Sequence, residues 1–194
     1  MARVICSYLK VFWLTGCGIM LIREIQSVAD YDTKGLVNPN DYLLQMYDRA
    51  TAEYPADGEQ AFTKKQSVPG MPTNEVYSNG YVTSYFIMKD KEPIFLLNLT
   101  RLYKGYSTTN VVAHSDHQGK GFAVPTYIAV SKHLGVPLYS FGTHTPAGDQ
   151  IWQTLHKKYP NRVRGINVTT GEDIDFADLQ DSDFNTRAVL LPDK

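Results

Sequence analysis

Apolar and polar residues alternate over residues 81–89, and this segment, rich in β-forming residues, is predicted to be a strand. Two more strands are predicted over residues 94–103 and 106–115, the last with an apolar end at Val111-Val112-Ala113. Asp90-Lys91-Glu92-Pro93 predicts a tight turn between the first two strands, which therefore form a hairpin.

Helical spacing of apolar residues predicts three helices. The first begins at Asn38-Pro39, where asparagine caps the helix and proline occupies the first helical position, and it ends before Pro55. The second follows a glycine-rich turn and ends at Gly135. The third begins at Thr145 and ends before Pro160. Further strands are predicted over three short apolar segments, 21–26, 136–141 and 162–168.

The order of these elements determines the expected fold class. Strand, helix, hairpin, strand, glycine-rich turn, helix, strand, helix and strand predict a mixed α/β domain with an antiparallel front half. Residues 55–74 contain three prolines and two glycines, which predicts a long loop of the kind that serves as a binding element or lid. After this loop come three tyrosines that would lie on one face of a strand: Tyr77, Tyr81 and Tyr85. They would either pack in the core or line an acceptor cleft.

Composition and charge exclude several classes of protein. The 194 residues suffice for one domain, and 19 basic against 20 acidic residues give a net charge of −1, so the whole molecule is no electrostatic clamp for DNA. Two cysteines exclude a disulfide framework, and no Cys/His spacing predicts structural zinc. The apolar stretches are too short to span a bilayer. We expect a cytoplasmic protein.

Residues 1–19 are more apolar than the rest of the chain and contain both Cys6 and Cys17. Three interpretations remain open: a start site assigned too early, with Met20 as the start; a lipoprotein signal, since Leu14-Thr15-Gly16-Cys17 fits a lipobox; and an ordinary buried strand or helix. Contact with a membrane is expected only if Cys17 is a lipoprotein site. We divide the chain into three parts: an apolar extension over 1–19, a domain over 20–170 and an acidic segment over 171–194.

Charge is distributed unevenly along the chain. Six acidic residues and no basic one lie between residues 172 and 183, which is typical of a solvated edge or tail. Between Arg101 and Gly171, eight basic residues stand against two acidic ones, an excess of six positive charges. That excess suits a polyanionic small ligand, and chance clustering on several surfaces explains it equally well.

A glycine-rich turn over residues 118–123 carries the clearest chemistry. The predicted strand 106–115 leads into Gln118-Gly119-Lys120-Gly121-Phe122-Ala123, and a helix begins there. Two glycines allow the backbone to approach a ligand, and the free N–H groups at the helix start point to the same place. Such a turn binds phosphate, and Lys120 adds a positive charge. The turn matches neither a Walker loop nor the GxGxxG fingerprint.

The same six residues match the pattern Gln/Arg-x-x-Gly-x-Gly/Ala. In this, the turn resembles the acetyl-CoA pyrophosphate loop of the GCN5-related N-acetyltransferases (GNAT). The strand before it, the helix after it and the following strand–helix–strand have the order that this superfamily shows. Residues 151–160 resemble the superfamily's fourth helix. The resemblance covers residues 20–168 and is strongest over 106–165.

The resemblance implies a GNAT-like single domain whose mixed sheet has splayed strands at an acyl-CoA cleft, between the strand that ends at Val111-Val112-Ala113 and strand 136–141. It implies that Val111, Val112 and Ala113 pair with the pantetheine arm and that a backbone N–H there holds the thioester oxygen. The turn residues Gln118, Gly119, Lys120, Gly121, Phe122 and Ala123 would bind the pyrophosphate. An acceptor amine would attack the thioester of acetyl-CoA directly. The implied function is an acyl-CoA-dependent N-acyltransferase.

Two histidines are candidate catalytic residues. The resemblance aligns His156 with the superfamily's general-acid tyrosine, and histidine can protonate a leaving thiolate near neutral pH. The alternatives are that His156 is an exposed helix residue or that Tyr159 is the acid. His114 is the candidate general base, because a superfamily glutamate on its strand has no counterpart here. A polar turn role explains His114 and His117 equally well.

Other functions remain open. His114, Asp116, His117 and His144 form a poor metal set, since three ligands within four residues seldom fit one ion, and we predict no metal site. A non-catalytic binding module on the GNAT fold would fit the missing glutamate and tyrosine. Among enzymes, the acceptor amine is a small molecule, a protein or, in a GNAT-related enzyme, a nucleobase in DNA. The sequence leaves the oligomeric state open.

Overall fold

The computed structural model describes residues 38–53, 60–141, 145–179 and 185–193. The extension over 1–19, the predicted strand 21–26 and His144 lie outside these residues.

Three helices form where the sequence predicts them: α1 at Pro39–Thr51, α2 at Ala123–Leu134 and α3 at Pro146–Lys158. The Asn38 side chain caps α1 by accepting from the Asn40 amide, and Thr145 caps α3. Gly135 ends α2 in the left-handed conformation, at φ 65°. Within the described residues, no helix has the length and apolar character that crossing a membrane requires.

The described strands form one nine-stranded sheet. The strands are β1 at Thr63–Lys65, β2 at Asn74–Ser78, β3 at Val82–Lys89, β4 at Glu92–Leu102, β5 at Gly105–Ala113, β6 at Leu138–Tyr139, β7 at Val163–Asn167, β8 at Asp173–Ile174 and β9 at Thr186–Leu190. Their order in the sheet is β1-β2-β3-β4-β5-β6-β9-β7-β8, and only the β5–β6 pair is parallel. The predicted mixed α/β fold with an antiparallel front half is confirmed.

The region between α1 and β3 differs from its prediction. The predicted loop 55–74 contains the edge strand β1, and β2 begins at its last residue. The three tyrosines do not share one strand face, because Gly80, at φ 88°, turns the chain between two strands. Tyr77 lies in β2 and Tyr85 in β3, on opposite faces of the sheet, and Tyr81 lies in the turn. The prediction of a single tyrosine face was wrong.

The segment over 171–194 contributes two strands. β9 lies inside the sheet, between β6 and β7, and its residues Val189 and Leu190 are buried. The prediction that 162–168 forms the last strand was therefore wrong. Two acidic side chains of this segment are paired: the Asp173 carboxylate lies 2.6 Å from the Arg164 guanidinium, and the Asp193 carboxylate lies 2.6 Å from the Arg162 guanidinium.

Both faces of the sheet are covered by apolar side chains. On one face, called here the α1 face, α1 packs against β2, β3 and β4 through Leu43, Tyr77, Phe86 and Leu96. On the other face, the larger core includes α2 and α3, whose Tyr127 and Trp152 rings meet edge to face at 5.4 Å. The C-terminal end of β5 lies between α1 on one face and α2 and α3 on the other.

Candidate functional site

The glycine turn connects the end of β5 to the start of α2. Gly119 and Gly121 have φ values of 71° and 79°, in the left-handed region that favours glycine. A Cβ atom added at either position would meet nothing within 4 Å, so both glycines face open space. The turn therefore presents backbone to a ligand without a side chain in the way.

The backbone N–H groups of this turn are available to a ligand. No acceptor within the described residues binds the amides of five positions: Gly119, Gly121, Phe122, Ala123 and Val124. The start of α2 carries no side-chain cap and no acidic residue, unlike the capped starts of α1 and α3. Lys120 is exposed beside it. Together these groups offer an anion several donors, a positive helix end and one cation.

β5 and β6 separate just before this turn. Ser107↔Tyr139 is their last parallel pair, and no described strand pairs with residues 108–113 on that side. A β-bulge lies at the point of separation. Asn98 and Leu99 of β4 pair with Asn110 and Thr108 of β5, so Thr109 is an extra residue without a partner in β4. The Thr109 Oγ1 donates to the Asn98 carbonyl at 3.3 Å. A bulge bends and twists its strand, which explains why β5 leaves β6 here. The splayed strands of the predicted fold are present.

The free edge of β5 exposes backbone groups of alternate residues. The His114 amide donates to the Ile94 carbonyl of β4 at 2.9 Å. Because successive residues of a strand direct their backbone groups to opposite sides, Val112 also faces β4. Val111 and Ala113 consequently direct their N–H groups to the free edge. Of the three predicted strand residues, two are placed to pair with an extended ligand and one is occupied by the sheet.

Hydrogen bonds fix the segment between the strand and the glycine turn. The Asn40 side chain of α1 donates to Ser115 Oγ at 3.1 Å and accepts from the Ser115 amide at 2.8 Å. Gln118 Nε2 donates to the Ala113 carbonyl at 3.4 Å. The turn is thus held at both the α1 and β5 sides, while its glycines remain open.

His114 and His117 lie side by side at the end of β5, with ring centroids 5.9 Å apart. His114 Nδ1 accepts from the Asp116 amide at 3.3 Å and lies 4.0 Å from the Asp116 carboxylate. His117 Nδ1 is buried, and no described group bonds to it. Burial, followed by the charges of Lys120 and Lys89, lowers the pKa of His117. This imidazole is therefore held neutral beside a cationic surface.

His156 is placed elsewhere. Its Nδ1 lies 3.0 Å from the Val163 carbonyl, and its ring stacks on Phe176 at 4.2 Å with parallel planes. Val163 belongs to β7, and two strands, β6 and β9, separate β7 from β5 in the sheet. Tyr159, the alternative acid, follows α3 with the Arg162 guanidinium 6.0 Å from its ring. The described contacts bring neither residue together with His114 or the free strand edge.

Among the described residues there is no group of three or more His, Cys, Asp or Glu side chains that would hold a metal ion.

The sequence analysis missed a polar cluster on the α1 face. The Glu75 carboxylate accepts from the hydroxyls of Tyr47, at 2.8 Å, and Tyr77, at 2.6 Å, and from Lys64 Nζ at 2.8 Å. Burial alone would raise the pKa of Glu75, but these three donors outweigh it and hold the pKa below its usual value. Burial and the bond to Glu75 raise the pKa of Tyr77 to about 12. Because Tyr47 and Glu75 are 28 positions apart, only the fold brings them together.

This cluster borders a groove of about 640 Å³ at the same end of the sheet as the glycine turn. The groove is lined by Tyr47, Thr73, Glu75, Met88 and the turn residues 89–91. The ammonium group of Lys64 packs against this cluster. Its Nζ lies 5.6 Å from the Tyr77 ring centroid and is also bonded to Glu75.

Comparisons with known proteins give a likeness to solved structures. No protein-family model matches the chain, and no curated protein matches it. A solved structure from Bacteroides thetaiotaomicron, described as a proposed acetyltransferase of the GNAT family, is similar over 59% of this chain and 64% of that chain, with 12% sequence identity and a TM-score of 0.37. The chain thus spans less than two thirds of the length of that structure.

Proposed function

We propose that the chain is an acyl-CoA-dependent N-acyltransferase that transfers an acyl group, in the simplest case acetyl, to an amine. One observation carries the proposal: an open turn with unpaired amides directly follows a strand whose edge is free. The turn fits a pyrophosphate, and the free edge fits an extended amide-containing arm. A ligand that joins a diphosphate to such an arm would occupy both.

The residues present fit a CoA ester in three ways. The amides of Gly119 and Gly121 and those at the start of α2 would bind the pyrophosphate, with Lys120 adding a charge. Val111 and Ala113 would pair with the pantetheine arm along β5. The gap between β5 and β6 would admit the reacting end of the ligand. When bound, acyl-CoA supplies a thioester whose carbonyl carbon an amine attacks.

The chain would contribute orientation and proton transfer. A backbone N–H on the free edge of β5 would stabilise negative charge on the thioester oxygen. His114 is the proposed acceptor of the amine's proton, because it directly follows Ala113 at the end of the free strand edge. His156 stays a prediction for the acid that protonates the thiolate.

The test is a calorimetric titration of the full chain with acetyl-CoA, using two glycine-to-glutamate variants. Gly121→Glu places a carboxylate in the proposed phosphate site. Gly80→Glu is the matched control, because Gly80 also has a left-handed φ, at 88°, and open space around it, but lies in the β2–β3 turn. Both variants carry the same added charge and a similar backbone strain.

We expect micromolar binding by the unaltered chain and by Gly80→Glu, and binding at least tenfold weaker, about 1.4 kcal/mol, in Gly121→Glu. No binding by the folded, unaltered chain would refute the proposal. Equal binding by both variants would refute the assignment of the turn. Binding without amide formation from any amine would leave a non-catalytic CoA-binding module.

A further inference from the structure

Arg187 of β9 is a guanidinium without a carboxylate partner in the part of the chain that the structure describes. Its Nη1 donates to the Ser140 carbonyl at 3.2 Å and to Ser107 Oγ at 3.4 Å. Its Nε is buried, and no described group bonds to it. Burial lowers the pKa of Arg187, but a guanidinium stays protonated at neutral pH. A partly buried positive charge therefore lies in the sheet, and the described groups that accept its hydrogen bonds are neutral.

Such an arrangement is costly for the free protein. Removing a charge from water is unfavourable unless an opposite charge compensates it, and a buried donor without an acceptor adds to that cost. The other described arginines whose ion pairs are resolved show the usual solution: Arg162 meets Asp193 at 2.6 Å and Arg164 meets Asp173 at 2.6 Å. Arg187 has no such partner among the described residues, and we infer that a ligand supplies its counter-charge.

The sheet register places Arg187 at the gap between β5 and β6. Val189 pairs with Tyr139, so two residues further along the same register Arg187 lies opposite residue 141. Residue 141 lies beyond the last residue pair between β5 and β6, which is Ser107↔Tyr139. Because Ala188 belongs to the core on the α2/α3 face, Arg187 projects from the α1 face, and its guanidinium reaches over β6 to Ser107. The charge thus lies where the proposed thioester would end.

Two further polar groups on the α1 face lack hydrogen-bond partners among the described residues. Ser84 and Asn98 pair across β3 and β4 and are 1% and 2% exposed, and no described group bonds to Ser84 Oγ or Asn98 Oδ1. Thr100, two residues after Asn98 in β4, pairs with Ser107 of β5. The α1 face beside the Arg187 contact Ser107 is therefore polar, although the faces of the sheet are otherwise covered by apolar side chains.

We propose that Arg187 binds a carboxylate on the acyl acceptor, so that the acceptor is a small molecule carrying both an amine and a carboxylate, of the amino-acid class. The proposal rests on the proposed acyltransferase function. The acceptor's carboxylate would bond to the guanidinium, which would place its amine at the gap between β5 and β6. In the reaction, the amine nitrogen forms a C–N bond to the thioester carbonyl carbon and the C–S bond breaks. One proton leaves the nitrogen and one joins the sulfur, giving an N-acylated amino acid and free CoA.

The test compares matched acceptors with the full chain and acetyl-CoA. The L-amino acids are assayed beside the amines that remain when their carboxylate is removed, such as alanine with ethylamine, by release of the CoA thiol. We expect turnover of at least one amino acid and little or none of its matched amine. Arg187→Gln is expected to raise KM for that amino acid by about 30-fold or more and to leave KM for acetyl-CoA unchanged. Arg164→Gln, on the neighbouring strand β7, is the control and should behave as the unaltered chain.

Two further measurements separate the possible failures. Calorimetric titration with acetyl-CoA shows whether the proposed function itself holds. Titration of the same amino acids into the free protein tests the carboxylate site without turnover, with loss of binding expected in Arg187→Gln. If Arg187→Gln does not fold, Arg187→Lys, which keeps the charge but removes the guanidinium, is used in its place. Equal turnover of an amino acid and its matched amine would overturn the proposal. So would amino-acid binding or KM that is unchanged by loss of the guanidinium, or no amino-acid binding at all in a chain that binds acetyl-CoA.

Discussion

Replacing Gly105 with alanine should separate β5 from β6 at the point where the two strands meet. The added Cβ would collide with the Pro137 carbonyl oxygen and lie 3.1 Å from a ring carbon of Tyr139. The same carbonyl accepts the Tyr106 amide at 3.0 Å, so it cannot move away without weakening that bond. Gly105 also has φ 153°, which side chains rarely adopt.

Two costs determine the expected loss of stability. Overpacking against fixed backbone costs about 1–3 kcal/mol, and the unfavourable backbone conformation about 1–2 kcal/mol. We therefore expect Gly105→Ala to lower the free energy of unfolding by about 2–5 kcal/mol. The control is Gly80→Ala, whose φ is 88° but whose Cβ meets nothing within 4 Å. It should lose only the backbone contribution, about 1–2 kcal/mol.

The measurement is urea unfolding of the three proteins, with thermal unfolding beside it. For a chain of this size, Tm falls by roughly 2–4 °C per kcal/mol. The informative quantity is the difference between the two variants, because it isolates the contact with Pro137 from the strain at φ. If Gly105→Ala is no less stable than Gly80→Ala, β5 and β6 are not packed as described, and the argument from their separation fails with it.

Expected results for three other residues, Glu75, His117 and His156, follow from their contacts. Glu75→Gln should cost about 1–3 kcal/mol in urea unfolding at pH 7, because three donors lose a charged acceptor. Since the pKa of Glu75 is lowered in the folded state, this stabilisation is present above its usual pKa and is lost as pH falls through the folded value, so variant and parent should converge in acid. An ultraviolet titration should also show the ionisation of Tyr77 moving down from about 12 in this variant. The NMR titration of His117 should give a pKa below the usual histidine value, rising when acetyl-CoA binds or in Lys120→Gln; no change in either case would contradict a phosphate site beside it. His156→Ala should lower kcat, because it removes the acid proposed to protonate the thiolate, and should cost about 0.5–1.5 kcal/mol of stability through the lost ring stacking; a full-rate variant would dismiss the acid role.

The elements that the sequence predicts well are those with local signals. Asn38 and Thr145 cap the starts of α1 and α3, and the left-handed Gly135 ends α2. Each of these residues acts on backbone groups only a few positions away, so the local sequence suffices to locate the helix boundary. The β3–β4 hairpin is similar: Asp90 and Lys91 both adopt positive φ, at 51° and 71°, as a two-residue turn between twisted strands requires.

The elements that the sequence does not predict depend on distant partners. β9 is only five residues long and follows an acidic stretch, so nothing near it indicates that it joins β6 and β7. The glycine turn is a local motif, and the sequence predicts it. Arg187 is placed at the gap between β5 and β6 only by the folded sheet, where it bonds to Ser107, 80 positions earlier in the chain. The same holds for Glu75 and Tyr47. Candidate sites made by one segment are visible in a sequence, and sites assembled across the sheet are not.

The internal position of β9 has a consequence for how the protein is made. β6 and β7 can be joined only after residues 186–190 have left the ribosome, although most of the sheet has been synthesised by then. Such long-range pairing makes folding slow. Until it occurs, the nascent chain has two strands with unpaired edges, and another copy of the same chain can pair with them. A chain stalled on the ribosome before residues 186–190 emerge should therefore bind chaperones, and a chain in which they have emerged should bind them less.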